Sequence, residues 1–264
     1  MPLKRQFIAA FDAVFALSRE AKTYLQRTYG APAENIRISP LGVPLANALN
    51  RPSAAGCLHV VSVASCMRVK RLDRMIGALR LLAGRHRDIR MTWTHVGGGP
   101  LLAETRALAA RELGGLDNLE FTFTGEVPHP AVAALYRDTA VDMLVNTSES
   151  EGVPVSIMEA MSAGVPVVAP DVGGISSLVS ARCGVLLRPQ PDAEEIADAM
   201  ARVAFADGRA HLRANARQVI EAGFDAARNY RDFVAGIVAL GAADDSPARR
   251  RQPAAPAIQH AAGR

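Results

Sequence analysis

The sequence predicts an α/β fold in which a parallel sheet is covered by helices on both faces. Three observations carry that expectation. Short, β-branched apolar runs recur along the chain, and longer amphipathic stretches separate them. The short runs are apolar throughout rather than alternating, as in strands buried on both faces. The two types of segment follow one another in turn, which is the pattern of a Rossmann-like sheet. Ligands of such sheets bind beyond the carboxyl ends of the strands, so chemistry is to be sought in the strand-to-helix loops.

The elements follow in order. Residues 14–17 read as a short strand and 19–29 as a helix closed by Gly30. Residues 58–64 are a buried strand, after which Leu72, Met75, Ile76, Leu79 and Leu82 keep helical spacing. Residues 89–96 are a strand, and 100–113 a helix with Pro100 at its start. Strands at 119–124 and 143–146 alternate with helices at 130–137 and 154–163. Strands at 167–169 and 185–187 precede a helix at 192–206, with Ile196, Met200 and Val203 turned inward. Residues 241–264 are rich in Ala, Pro and Arg without apolar periodicity, and read as a disordered tail.

The 264 residues are 49% hydrophobic and 21% charged, enough apolar material for a sizeable core. That excludes a disordered or collagen-like chain. No apolar run approaches the roughly 18–20 residues of a membrane-spanning helix. Aromatic residues make up 5%, with one Trp, which argues against a base-stacking nucleic-acid platform. The net charge of +4 is concentrated at the two ends, and the body between is near neutral. No nucleic-acid partner follows from that distribution. The basic ends suit attraction to an anionic membrane surface.

Cys57, Cys66 and Cys183 have no C-x-x-C spacing, so neither a disulfide framework nor a zinc site is expected. Lys4 and Arg5 before an apolar stretch resemble a secretory leader. Asp12 interrupts that stretch, and Ser18-Arg19-Glu20 is a poor cleavage site. The expectation is a cytoplasmic protein with peripheral contact at the inner membrane face through Lys4, Arg5, Arg19, Lys22 and Arg27. The sequon Asn146-Thr147-Ser148 has no meaning without export.

Residues 148–163, SESEGVPVSIMEAMSA, are the most informative segment. Glu151 falls in a loop after a strand, and Gly152 lets the backbone approach a ligand closely. Pro154 opens a helix, leaving the N–H groups of Val155 and Ser156 free to face an anion. Glu159 lies further along that helix. A carboxylate can accept from both adjacent hydroxyls of a ribose. A helix N-terminus between two Glu residues suits a diphosphate. The pattern therefore sets one carboxylate at a sugar and the other at a ribose. Two glutamates alone read equally as a solvated loop residue and a surface ion pair; the Gly, Pro and apolar context favours the site.

EGVPVSIME matches the E-G-x-P-x-x-x-x-E element of the group 1 (family 4) glycosyltransferases. ALSREAKTYL, ISPLGVP, VKRLDRMI, THVGGGPL, FTGEVPH, APDVGGISSLV and CGVLL resemble other family segments, in the right order. The resemblance covers residues 10–240 and is nearest to bacterial polysaccharide-assembly members. It implies a retaining enzyme of the two-domain GT-B fold, of which this chain is the C-terminal half. Glu159 is similar to the residue that holds the sugar donor's ribose, and Glu151 to the one at the sugar ring. Gly152, Val153, Pro154, Val155 and Ser156 would line sugar and phosphate. Lys70 resembles the basic residue on the diphosphate. Gly125 and Val127 would border the base, and Gly97 and Gly99 resemble a family glycine loop.

The implied substrates are a UDP- or GDP-sugar and a glycan or lipid-linked acceptor, with neither cofactor nor metal required. Breaking the sugar–phosphate bond puts negative charge on the diphosphate, which Lys70 and the helix N-terminus would stabilise. Positive charge develops on the sugar, which a carboxylate would stabilise.

Two positions depart from the family. Ser65 stands where an Arg is usual, with Arg68 nearby as a substitute. Ser177 stands where many relatives carry Glu. The expected division is residues 1–44 as a remnant of the N-terminal domain and linker, and 45–222 as the nucleotide-sugar-binding domain. A closing helix follows at 223–240. Two other readings stay open: a donor-binding fragment needing a separate chain for the first domain, and a sugar-nucleotide epimerase on the same fold.

GGGPLL at 97–102 lacks the third Gly of a dinucleotide fingerprint. His95, at a strand end, reads as either a site residue or a satisfied structural histidine. His129, between two prolines, reads as a turn residue. Arg68, Lys70 and Arg71 without the family match read as a solvated charge run.

Overall fold

The computed structural model describes residues 2–205 and 207–244. Two short elements come first, α1 (Pro2–Ala9) and β1 (Val14–Ala16), then α2 (Arg19–Tyr29) and β2 (Ile36–Ile38). The ends of α2 are fixed by sequence. Ser18 Oγ accepts from the Ala21 amide at 3.1 Å, and Gly30 closes the helix at φ +65°. β1 and β2 pair in parallel, with Val14 opposite Ile36.

The main body holds six strands. They are β3 (Cys57–Val63), β4 (Arg90–Val96), β5 (Leu119–Phe123), β6 (Met143–Val145), β7 (Val167–Pro170) and β8 (Gly184–Leu187). All are parallel, in the order β5-β4-β3-β6-β7-β8. The helices are α3 (Leu72–Arg85), α4 (Leu102–Leu113), α5 (His129–Asp138), α6 (Val155–Ser162), α7 (Ala193–Phe205), α8 (Arg209–Gly223) and α9 (Ala226–Asp244). One face of the sheet packs on α3, α4 and α7 through Met75, Ile76, Leu79, Leu113 and Met200. The other packs on α5, α6 and α8 through Tyr136, Ile157, Met158, Met161 and Ile220. Each such side chain contributes about 1.5–3 kcal/mol on burial.

β3 begins a run toward β5 on one side, and β6 begins a run toward β8 on the other. The chain therefore reverses direction across the sheet between β3 and β6. Loops leaving neighbouring strands at such a point diverge and open a crevice above their carboxyl ends. Lys70 follows β3, and Glu151 follows β6.

Several boundaries differ from expectation. Pro100 lies in the turn before α4, which starts at Leu102; the Thr105 amide and hydroxyl both donate to Leu101 O. Pro154 caps α6 rather than opening it, because its ψ of 116° is extended. α1, β2 and α8 were not anticipated. α8 buries only a thin stripe of Arg213, Ala216 and Ile220, so its sequence carries little apolar signal. The first residues of the expected tail continue α9 to Asp244, and residues 245–264 lie outside the described residues.

α9 returns to the first segment. Val43 bridges Asp225, Arg37 donates to Gly236 O at 3.1 Å, and Phe15 meets Phe233 edge-on at 4.9 Å. Among the described residues no helix is long and apolar enough to cross a membrane.

Candidate active site

The 3-10 turn Arg68–Lys70 and the loop after β6 are stitched together by backbone. The Glu149 amide donates to Val69 O at 2.8 Å, and Thr147 Oγ1 donates to Lys70 O at 2.8 Å. Arg71 is the non-glycine residue at positive φ among those described, at 49°. Its guanidinium pairs with Asp73 and Glu149, which holds the loop against the start of α3. Lys70 and Arg71 thus belong to a stitched corner rather than a solvated charge run, while the Arg68 side chain is exposed.

That corner presents Lys70 to Glu151. Lys70 Nζ donates to Glu151 Oε1 at 2.8 Å, with the two side chains 20% and 11% exposed. Asn146 Nδ2 at 3.1 Å and Ser148 Oγ at 2.6 Å donate to the same oxygen. Burial alone would raise the Glu151 carboxyl pKa. The hydrogen bonds from Lys70, Ser148 and Asn146 outweigh it and hold the pKa below the ordinary 4.5. Glu151 is therefore an anion at neutral pH. Its three donors all use Oε1. Lys70→Met is expected to move the Glu151 ionisation upward, read by NMR titration of its carboxyl carbon. An unchanged midpoint would remove the ion pair from this account. By linkage, the stability this carboxylate contributes is present above the unfolded value and lost as pH falls through its depressed folded value.

Glu159, on α6, has a side chain 16% exposed. Its Oε1 lies 2.5 Å from His129 Nε2. His129 is the first residue of α5, a helical residue bonded to the Glu159 carboxylate rather than a turn residue. Between the two glutamates lies the N-terminus of α6. The amides of Val155 and Ser156 have no acceptor among the described residues. Nothing lies within 4 Å of where a Cβ on Gly152 would stand, so the backbone there is open to a ligand. Val153 is half-buried and Pro154 buried.

The glycines divide into two kinds. Gly125, at φ +72°, has open space at its missing Cβ, and Val127 beside it is half-buried. A Cβ on Gly97 would stand 1.9 Å from Ala64 O, and one on Gly99 3.0 Å from Cys66 N. Close backbone packing therefore accounts for glycine at those two positions. Gly97 also ties the loops after β4 and β5, its amide donating to Gly125 O at 3.0 Å. Gly173 and Gly174 pack beneath the Glu151 loop, and the Gly174 amide donates to Gly152 O at 2.7 Å. Ser177 Oγ donates to Gly174 O at 2.6 Å and holds that turn. The Arg68 carbonyl accepts from the Arg71 amide, but its side chain makes no hydrogen bond or ion pair among the described residues and lines the groove between α3 and α4.

His95 is a structural histidine. It is fully buried, with Nδ1 2.8 Å from Ser62 Oγ and Nε2 3.4 Å from Cys66 Sγ. Trp93 Nε1 donates to Ser62 Oγ at 2.9 Å, so the Ser62 proton is free to go to His95 Nδ1. That leaves the His95 proton on Nε2. Burial pushes its pKa down to about 4, against an opposing hydrogen bond with the Ala64 backbone. Burial raises the Cys66 thiol, so this contact is no activated nucleophile pair. Among the described residues no three His, Cys, Asp or Glu side chains gather as a metal site.

The sequence reading missed Asn146, Ser148, His129 and the Gly173–Gly174 support. Ser148 lies three residues from Glu151 and was within reach of a local argument. Asn146, five residues from Glu151, was too; His129 and the Gly173–Gly174 support depend on chain crossings.

A six-stranded parallel sheet with helices on both faces and a crevice where the strand order reverses is a Rossmann-like α/β domain. The model of the glycosyl transferases group 1 family matches residues 57–204. The chain belongs to that family. It is 31% identical over 221 residues to WcaL of Escherichia coli K12, a protein named for colanic acid biosynthesis, covering 80% of this chain and 53% of that protein. It is 28% identical over 185 residues to the amylovoran biosynthesis glycosyltransferase AmsK of Erwinia amylovora, covering 66% and 43%. The chain spans about half the length of the curated relatives it matches.

Among solved structures, sucrose-phosphate synthase of Thermosynechococcus elongatus superposes with a TM-score of 0.74 at 25% identity, over 91% of this chain and 61% of that one. HepE of Anabaena, solved with UDP and glucose, gives 0.72 at 20% identity, over 90% and 66%. The latter likeness is one of fold.

Proposed function

We propose that this chain is the sugar-donor-binding, C-terminal half of a retaining glycosyltransferase. The observation that carries the reading is the pair Glu151 and Glu159 on either side of the α6 N-terminus, with Lys70 held at the crevice between β3 and β6. The reaction would transfer a sugar from a UDP- or GDP-sugar to a glycan or lipid-linked acceptor, with no cofactor or metal. Solved neighbours that hold UDP support the diphosphate.

Glu159 would accept from the ribose hydroxyls, with Gly125 and Val127 bordering the base. The amides of Val155 and Ser156 and the Lys70 ammonium would take the diphosphate. Lys70 spends one of its three N–H groups on Glu151, so two remain for phosphate oxygens. Gly97 and Gly99 would shape the neighbouring loop, and Arg68 would reach the outer phosphate from its groove. As the C1–O bond breaks, its electron pair leaves on the phosphate oxygen. The acceptor hydroxyl oxygen bonds C1, and its proton passes to the departing diphosphate. Glu151, an anion beside C1, would stabilise the positive charge on the sugar.

Residues 1–44 would be the last part of the N-terminal domain and its linker, 45–222 the nucleotide-sugar-binding domain and 223–240 the closing helix. The exposed apolar side chains Phe11, Leu17, Ile38, Val234 and Val238 support a covering domain there, whether from the same chain or a separate one. Peripheral contact with the inner membrane face would come from the basic first segment.

Titrating the chain with UDP, GDP and ADP by calorimetry tests the reading. One nucleotide is expected to bind saturably. Glu159→Ala is expected to weaken it by about 1–3 kcal/mol, the loss of a charged hydrogen-bond partner. Binding of none of the three, or equal binding by the variant, would overturn the reading.

A further inference from the structure

We propose that His129 is a positioning residue for ribose recognition, fixing one oxygen of Glu159 so that the other is presented to the ribose diol. The inference rests on the reading of Glu159 just given. Among the described residues, His129 is the side chain that hydrogen-bonds the Glu159 carboxylate, at 2.5 Å. A carboxylate oxygen accepts, so the imidazole Nε2–H donates. The imidazole side chain is 70% exposed and the carboxylate side chain 16% exposed.

The backbone beneath His129 is set in advance. Pro128 precedes it at φ −60° and ψ 143°, and Pro130 follows in the first turn of α5. The far end of α5 is anchored by Asn50 Nδ2, which donates to Tyr136 O at 2.6 Å and Thr139 O at 2.7 Å. A glutamate has three free side-chain torsions, so an imidazole carried on a preset backbone restrains the direction of its carboxylate.

A second observation marks the competing direction. Tyr136 lies seven residues after His129, on the same face of α5. Its hydroxyl is buried and has no hydrogen-bond partner among the described residues. Burial raises its ionisation, and the charge of Glu159 raises it further. Glu159 thus has an exposed imidazole as its hydrogen-bond partner, and its charge is felt by a buried hydroxyl that has none. Without His129, the carboxylate turns inward to Tyr136 and leaves the ribose.

The test is calorimetry with UDP and GDP, each against its 2′-deoxy counterpart. Wild type is expected to prefer the ribonucleotide about tenfold, one hydrogen bond to a charged group. His129→Ala should lose that preference while keeping its affinity for the deoxynucleotide. His129→Gln, whose amide can donate to the carboxylate, should keep it. The double variant His129→Ala, Tyr136→Phe should regain part of it, because the inward partner is gone. Equal weakening of both nucleotides by His129→Ala, or an unchanged preference, would overturn the inference while leaving the donor-site reading standing. A wild type that binds no nucleotide would overturn both.

Discussion

Gly173→Ala is expected to destabilise the chain by about 3 kcal/mol or more and to abolish tight nucleotide binding. Two costs add. The position is left-handed, at φ +58°, which costs a residue with a Cβ about 1–2 kcal/mol. The new methyl would also stand 1.8 Å from Glu151 O, so the backbone carrying Glu151 must move. Overpacking of this kind costs about 1–3 kcal/mol. The obstacle is backbone rather than a flexible side chain, so relief comes only by displacing the Glu151 loop and its bond to the Gly174 amide. Gly115→Ala is the control, since its Cβ would meet nothing within 4 Å. Urea denaturation and UDP or GDP titration of both variants decide it. A Gly173→Ala chain as stable as the Gly115→Ala control would sink this account of the loop.

Stability is expected to fall by about 3 kcal/mol from the His95 contribution as pH drops from 6.5 to about 4. The sign follows from proton counting. The unfolded chain binds a proton at His95 near the ordinary value of 6.5, whereas the folded chain holds it neutral down to about 4. Between those values the unfolded state carries more protons, so stability rises with pH there and is lost on acidification. Below about 4 both states are protonated and the loss stops growing. His95→Gln keeps a hydrogen-bonding group between Ser62 and Cys66 and removes the titration. Denaturation midpoints of wild type and variant across this window isolate the term from carboxylates common to both. Parallel pH profiles would show that His95 is not the buried neutral group described.

Much of the fold is legible from one dimension. Ser18 and Gly30 bracket α2 because a hydroxyl cap and a left-handed glycine act within four residues of themselves. β3 announces itself as a largely apolar run because both faces of the sheet are covered there. α8 does not, because Arg213 occupies a buried position that reads as surface. Its guanidinium donates to Val141 O and to Asn50 O and Oδ1, partners far away in sequence. The paired glutamates were likewise legible, since a Gly-x-Pro turn between them is a local signature of a helix N-terminus facing a ligand.

What the sequence determined by itself, then, is the class of the fold, its family and the types of group at its site. Those follow from periodicity, turn chemistry and the E-G-x-P-x-x-x-x-E spacing, all of which act over a few residues. Tertiary structure alone decided how the groups are used. It brought Lys70 to Glu151 across 81 residues and His129 to Glu159 across 30. It closed His95 into the core rather than turning it to the crevice. It gave Gly97 and Gly173 their identity through the backbone of distant loops. Hydrogen bonds and steric exclusion act over about 3 Å of space, and only the order β5-β4-β3-β6-β7-β8 says which residues come that close.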